Sequence, residues 1–188
     1  DVRSSASVAE LVSRVVDDWG RLDAAFNNAG WEATGRLVGE VVDSDWERMI
    51  DTKLSGTWRC MKYEIVAMRE AGGGTIVNMA GTWGLVGFPR YASYCAAAHG
   101  IMGLTRAAAK EYAAERIRIN AVCPGAVDSP MLDRMVEGDS SAIAAMGAAI
   151  PMGRVATPED VAEAVAWLSS DSSAYVAGQG VVLDGAGG

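Results

Sequence analysis

Apolar side chains form a helical stripe at the start of the chain. The positions that share this stripe are Val8, Leu11, Val12, Val15, Val16 and Trp19. Because residues three and four apart lie on one face of a helix, this spacing predicts an amphipathic helix over residues 5–19. Gly20 follows the last apolar position and marks the end of the helix. Such an apolar face must be covered, and we expect a sheet beneath it.

Further along, short apolar segments alternate with longer helical ones. The predicted strands cover residues 21–28, 75–79, 117–122 and 180–184. The predicted helices cover residues 43–70, with Asp43 or Ser44 as the cap, and residues 93–114, and another helix begins after Thr157. This alternation predicts an α/β fold with a doubly wound parallel sheet. The length of 188 residues and the 50% hydrophobic content predict a single domain over residues 1–188.

In an open parallel sheet, ligands bind beyond the carboxyl ends of the strands. Here those ends are followed by residues 27–30, 79–83, 123–129 and 184 onward, so we expect these four loops to form the site. Residues 131–152 directly follow one of the loops and show weak periodicity with several small residues. They are predicted to form a lid or a substrate flap.

Composition and charge exclude several classes of partner. A net charge of −8 with no basic cluster argues against nucleic-acid binding. The single histidine, His99, excludes a multi-histidine metal site, and no metal is expected. Cys60, Cys95 and Cys123 are odd in number and unrelated in spacing, which favours reduced thiols and a cytoplasmic protein. No apolar run is long enough to span a bilayer, so no membrane partner is expected.

Four short motifs lie at predicted strand ends and at one predicted helix start. They are Asn27-Asn28-Ala29-Gly30, Tyr91-Ala92-Ser93-Tyr94, Pro124-Gly125 and Asp184-Gly185. In this order and spacing the chain resembles the short-chain dehydrogenase/reductase family from its first residue to its last. The resemblance implies a Rossmann-like fold, a nicotinamide cofactor and association through the helices at 43–70 and 93–114.

The glycine-rich turn that holds the dinucleotide in this family has no counterpart in the chain. Asp1 aligns near the end of the family's third strand, so we expect a truncated Rossmann-like domain that lacks about 60 residues, or two βαβ steps. The backbone amides that bind a pyrophosphate would be lost with them. We therefore predict that no cofactor binds, and that Asn28, Gly30, Pro124 and Gly125 are remnants of the cofactor site.

The catalytic positions implied by the resemblance are altered as well. Tyr94 matches the family's tyrosine, whereas Gly81 replaces its serine, Ala98 its lysine and Lys53 its asparagine. A tyrosine hydroxyl has an ordinary pKa of about 10 and needs a nearby positive charge to exchange protons at neutral pH. Because Ala98 supplies no charge, the pattern predicts the loss of conventional hydride transfer.

Two interpretations of Lys53 and of Tyr94 stay open at this point. Lys53 either pairs with Tyr94 as a displaced acid/base pair or extends to solvent beside a cofactor cleft. Tyr94 is either a functional acid or a packed aromatic residue whose hydroxyl is bonded to the backbone.

Aromatic residues follow two of the strand ends and suggest a hydrophobic pocket. Trp31 follows the Asn-Asn-Ala-Gly loop and Trp83 follows Gly81, with Phe88 and Tyr91 close behind. They predict a hydrophobic, aromatic or polyketide-like small-molecule substrate, unless they only fill the volume of an absent cofactor. The remaining predicted substrate-binding positions are Gly81, Asn28, Ser129 and Met131.

Truncation would leave strand 21–28 as an exposed sheet edge, which something must cover. A homodimer is the expected partner, and a separately encoded chain is the alternative. The favoured function is a cofactor-independent, non-redox cyclase, isomerase or lyase, with Tyr94 and Lys53 as catalytic residues. The alternatives are a fragment or inactivated form of an NAD(P)-dependent carbonyl reductase, and a non-catalytic binding or assembly subunit.

Overall fold

A parallel sheet forms the centre of the fold. The computed structural model describes residues 1–32 and 34–188, and within them the strands are β1 (Ala24–Asn27), β2 (Gly74–Met79), β3 (Ile117–Pro124) and β4 (Gly180–Leu183). They lie in the order β1-β2-β3-β4, and each neighbouring pair is parallel. The predicted α/β Rossmann-like parallel sheet is therefore confirmed.

The helices are α1 (Ser5–Trp19), α2 (Asp43–Met49), α3 (Gly56–Glu70), α4 (Ala92–Tyr112), α5 (Pro130–Met135), α6 (Ser140–Ala149) and α7 (Pro158–Ser169). Helix α1 has the predicted bounds, because Ser4 caps its start and Gly20 ends it with a φ of 80°. Thr157 and Asp160 cap the start of α7 reciprocally. The predicted lid at 131–152 contains most of α5 and all of α6, and its mobility stays a prediction.

The predicted helix over residues 43–70 is interrupted. A π-helical segment, Ile50–Ser55, separates α2 from α3, and Val42, not Asp43 or Ser44, precedes the first turn without a side-chain cap. Arg59 donates to the Asp51 carbonyl oxygen at 3.2 Å and forms an ion pair with the Asp51 carboxylate at 2.6 Å. Because π segments are frequent at functional sites, the predicted role of Lys53 in the site is of particular interest.

The two faces of the sheet carry different hydrophobic clusters. Ile76 and Val77 follow each other on β2 and are both fully buried. Ile76 packs in a cluster with residues of α1, α3 and α4, whereas Val77 packs with Val161 and Leu168 of α7. Successive strand residues point to opposite faces, so helices cover both sides of the sheet as a doubly wound arrangement requires.

A buried polar network ties β1 to the neighbouring elements. The Asn27 amide nitrogen donates to the Glu64 carboxylate and to the Asn78 carbonyl oxygen, both at 3.0 Å. Asn78 in turn donates to the Thr105 hydroxyl at 3.0 Å. Burial raises the pKa of Glu64 to about 7, although the hydrogen bond from Asn27 opposes this rise. The network fixes the end of β1 just before the loop that begins at Asn28.

β1 lies at the edge of the sheet, as expected from the sequence. Phe26 on this strand is 39% exposed. The proposal that a second copy or another chain covers this edge stays a prediction. In the described part of the chain, none of the helices combines the length and apolar character needed to cross a membrane.

Candidate active site

Tyr94 and Gly81 meet at the carboxyl end of the sheet. Gly81 follows β2, and Tyr94 lies in the first turn of α4. A methyl group on Gly81 would lie 3.4 Å from the Tyr94 hydroxyl and 3.7 Å from the Pro124 carbonyl oxygen. Two of the four loops predicted to form the site therefore meet the start of α4 within a few ångströms.

The hydroxyl of Tyr94 is available for chemistry. The residue is half-buried, and the side-chain hydrogen bonds among residues 1–32 and 34–188, such as those of Lys53, Cys95 and His99 nearby, include none to its hydroxyl. The interpretation in which the backbone occupies this hydroxyl is therefore wrong for the described residues. A free hydroxyl beside an open strand end can donate a proton to, or accept one from, a bound small molecule.

Lys53 is buried beside this tyrosine. Its side chain is 2% exposed, its ammonium donates to the Met79 carbonyl oxygen at 3.2 Å, and its Nζ lies 4.5 Å from the centroid of the Tyr94 ring. None of the ion pairs among the described residues includes Lys53. The interpretation in which Lys53 extends to solvent is therefore wrong.

Ala98 is tightly packed one helical turn beyond Tyr94. It is fully buried, and a methyl group on Gly84 would lie only 2.9 Å from its carbonyl oxygen and 3.3 Å from its Cβ. The turn that contains Gly84 thus lies directly on Ala98. This packing leaves Lys53 as the cation that faces Tyr94 within the described structure.

Three aromatic rings form a wall next to Tyr94. Trp83 stacks on Phe88 with ring centroids 4.5 Å apart, and it contacts Tyr91 at 4.7 Å. The Trp83 and Tyr94 rings meet edge to face at 5.4 Å. Phe88 is 47% exposed, so the wall presents an apolar surface to solvent. The structure brings together the predicted pocket residues of this part of the chain.

Trp31 does not join the aromatic wall. The guanidinium carbon of Arg48 lies 3.4 Å from the centroid of its ring, a cation–π contact at the other end of the loop after β1. No ring pair between Trp31 and the aromatic wall occurs among the described residues. The predicted role of Trp31 in substrate binding stays a prediction.

An ion pair that the sequence analysis missed links the loop after β1 to α5. Arg134 donates to both carboxylate oxygens of Glu32, at 2.9 and 2.8 Å, and lowers the pKa of that carboxyl group. The Ser129 hydroxyl accepts from the Leu132 amide at 3.3 Å and thus caps α5, whereas Met131 is half-buried on that helix. Roles for Ser129 and Met131 in substrate binding stay predictions.

Known proteins resemble this chain in sequence and in fold. A family model described as enoyl-(acyl carrier protein) reductase matches residues 1–186. A 2,5-dichloro-2,5-cyclohexadiene-1,4-diol dehydrogenase of Sphingobium indicum is 39% identical over 186 residues, which cover 98% of this chain and 74% of that protein. A cyclohexanol dehydrogenase of Acinetobacter sp. is 42% identical over 175 residues, or 93% of this chain and 67% of that protein. The solved structure of ElxO with NADP bound has a TM-score of 0.93 and 33% identity, with 100% of this chain and 75% of that chain covered.

These similarities correct the functional prediction. The relatives are named dehydrogenases, and a closely similar fold carries NADP. The predicted cofactor-independent, non-redox cyclase, isomerase or lyase is therefore wrong, and so is the prediction that no nicotinamide cofactor binds. The error came from giving Gly81, Ala98 and Lys53 more weight than the loops around them, while the buried position of Lys53 could not be seen from the sequence.

Proposed function

The chain belongs to the short-chain dehydrogenase/reductase family, and we propose that it acts as a nicotinamide-dependent oxidoreductase that interconverts a secondary alcohol and a ketone. One observation carries the proposal: the free hydroxyl of Tyr94 lies at the carboxyl end of the sheet, beside an apolar wall. That position suits proton exchange with the oxygen of a small substrate.

The described residues fit the reactive end of a nicotinamide cofactor. Asn28 is exposed beyond β1, and a methyl group on Gly30 would meet only the Asn28 carbonyl oxygen, at 3.9 Å, so this loop is open to a ligand. A methyl group on Gly125 would lie 3.2 Å from the Asp184 Cβ, so the loops after β3 and β4 adjoin. Asn28, Gly30, Pro124 and Gly125 are the residues that would hold this end of the cofactor. Among the described residues we identify no glycine-rich turn that would bind the pyrophosphate of the cofactor.

In the proposed reaction, the cofactor transfers the hydride and a residue of the chain transfers the proton. The nicotinamide, when bound, supplies the hydride for reduction of a ketone and accepts one in the reverse direction. During reduction, Tyr94 gives its hydroxyl proton to the carbonyl oxygen, and during oxidation it takes the proton from the alcohol. Gly81 offers no second hydroxyl, so Tyr94 acts as the proton donor without help from that position.

The substrate is proposed to be a hydrophobic cyclic alcohol or ketone. Trp83, Phe88 and Tyr91 offer flat apolar surfaces beside the Tyr94 hydroxyl, which suit a ring that carries the reacting oxygen at its edge. The six-membered rings in the names of two relatives agree with this choice.

Measurements of cofactor binding and of turnover test the proposal. We expect calorimetric titration to detect binding of NADH or NADPH, and cyclohexanol to be oxidised when the oxidised cofactor is present. Tyr94→Phe should lower kcat by about 10²- to 10⁴-fold, because the proton donor is lost, and leave cofactor binding unchanged.

The matched control is Tyr175→Phe, because Tyr175 is fully exposed. That variant should keep normal turnover. If neither cofactor binds and no cyclic alcohol or ketone reacts, the proposed function is wrong.

A further inference from the structure

The helix that carries Tyr94 supplies no positive charge to its hydroxyl. Ala98, one turn further along, is fully buried and neutral. His99 is exposed, and its Nδ1 lies 2.9 Å from the Cys95 carbonyl oxygen, so the ring is hydrogen-bonded within its own helix. A tyrosine that exchanges protons at neutral pH needs a nearby cation. The cation must therefore come from another element.

Lys53 meets this requirement from the facing helix. The Lys53 side chain is almost completely buried, its ammonium donates to the Met79 carbonyl oxygen, and its Nζ lies over the Tyr94 ring at 4.5 Å. Burial of an ammonium without a carboxylate partner is costly, because one neutral hydrogen bond replaces only part of its hydration. The face of an aromatic ring offsets part of that cost, and a negative charge on the same tyrosine would offset more.

The π-helical segment explains how Lys53 reaches this position. The wider turns of Ile50–Ser55 change the direction in which side chains leave the helix. The backbone groups that the wider turns release are satisfied locally: Thr57 donates to the Lys53 carbonyl oxygen at 2.8 Å, and Arg59 donates to that of Asp51. Two carbonyl oxygens of the segment are thus bonded to side chains, while the Lys53 side chain contacts Tyr94 on α4.

No anion near Lys53 cancels its charge in the described structure. Cys123 on β3 faces it, but burial raises the pKa of that thiol to about 11, so the thiol is neutral at physiological pH even though Lys53 and Arg106 oppose the rise. Glu64, the buried carboxyl group of α3, contacts Asn27 instead. Lys53 is therefore the cation that the described contacts place against the Tyr94 ring.

We propose that Lys53 is a positioning residue for Tyr94: the charge that prepares the tyrosine for proton transfer comes from the π-helical segment that faces it and not from its own helix. This inference rests on the proposed function, because it assumes that Tyr94 exchanges a proton with a substrate. It assigns to Lys53 an electrostatic role in the reaction in addition to its packing.

Removing the charge while keeping the length of the side chain tests the proposal. In Lys53→Met, the near-ultraviolet tyrosinate absorbance of Tyr94 should appear at a pH higher by about one unit or more, because the phenolate loses its cation. The signal is isolated as the difference between each protein and its Tyr94→Phe derivative, and it needs neither cofactor nor substrate. In turnover, kcat at neutral pH should fall about 10-fold or more with KM nearly unchanged, and the pH–rate profile should move to higher pH by the same interval.

Two further variants make the result decisive. Lys53→Arg retains a cation and should keep the tyrosinate signal close to its original pH. Lys62→Met is the matched control, because Lys62 lies on α3 and also faces aromatic rings, those of Trp58 and Tyr63, but is exposed. It should change neither readout.

An unchanged tyrosinate signal in a folded Lys53→Met protein would show that Lys53 only fills space, and Lys53→Gln replaces that variant if it does not fold. The absorbance readout also separates the two proposals. A shifted signal in a protein without turnover would refute the proposed function alone, whereas normal turnover with an unshifted signal would refute the role of Lys53 alone.

Discussion

The two sides of the candidate site are held in place by different forces. On the side of Tyr94, the supporting groups are buried: Lys53 is 2% exposed, and Asn78 is fully enclosed. On the opposite side, the segment with α5 is tied to the loop after β1 by Glu32 and Arg134, whose side chains are 28% and 57% exposed. Buried hydrogen bonds are insensitive to salt, whereas exposed ion pairs are screened and contribute little. The groups beside Tyr94 are therefore held by buried contacts, whereas the ion pair between Glu32 and Arg134 separates at low cost.

The largest effect should come from breaking the buried side. Asn78→Ala removes the partners of both Asn27 and Thr105, two groups that are themselves buried. Because unpaired buried polar groups lose their hydrogen bonds without regaining water, we expect the free energy of unfolding to fall by about 2–4 kcal/mol, measured by urea denaturation.

The matched control is Asn28→Ala, since Asn28 is exposed. That change should stay within about 0.5 kcal/mol. Equal losses in the two variants would contradict the difference between the buried and the exposed side.

A smaller and pH-dependent effect should follow from Glu64→Gln. Burial raises the pKa of Glu64 from its ordinary 4.5 to about 7 in the folded protein, so folding favours its protonated form. The stability that this provides is fully present below pH 4.5 and is lost as the pH rises through 7. Above that pH the glutamine, which stays neutral and still accepts from Asn27, should make the protein more stable than wild type by about 1–3 kcal/mol.

Urea denaturation of both proteins at acidic and at alkaline pH measures this difference. Glu70→Gln, at the exposed end of the same helix, should show no comparable pH dependence. A constant difference between Glu64→Gln and wild type at all pH values would mean that Glu64 is not held neutral by the fold.

The smallest effect on stability should come from the exposed side. Glu32→Gln removes the ion pair with Arg134, and because both side chains are exposed, the free energy of unfolding should change by no more than about 0.5 kcal/mol. Limited proteolysis between α5 and α6 should nevertheless become faster, since the tie to the loop after β1 is weakened. At high salt, the wild-type protein should be cleaved as fast as the variant. If neither the substitution nor high salt changes the rate of cleavage, the ion pair does not hold this segment in place.

Local patterns were enough to predict most of the fold. The stripe from Val8 to Trp19 gave the correct bounds of α1, and the caps at Thr157 and Gly20 act as expected. The π-helical segment was not predictable, because it depends on tertiary contacts such as that of Arg59 with Asp51. The strand over residues 21–28 was predicted too long, since only Ala24–Asn27 pair with β2.

The candidate site was predictable in part. Motif positions placed Tyr94, Gly81 and the aromatic residues of the wall near one another, because strand ends converge in a parallel sheet. The ion pair of Glu32 with Arg134 joins residues 102 positions apart, and no periodicity connects them. The depth at which Lys53 lies was equally hidden, because a lysine at a helical position usually reaches solvent.

Gly81 has a consequence for which side chains this position can carry. Its φ of 85° lies in the left-handed region, which side chains other than that of glycine rarely adopt. A single substitution that introduces a hydroxyl at this position would strain the backbone by about 1–3 kcal/mol. A side chain here therefore requires a shift of the loop together with the substitution, so this position is constrained more by its backbone than by the space around it.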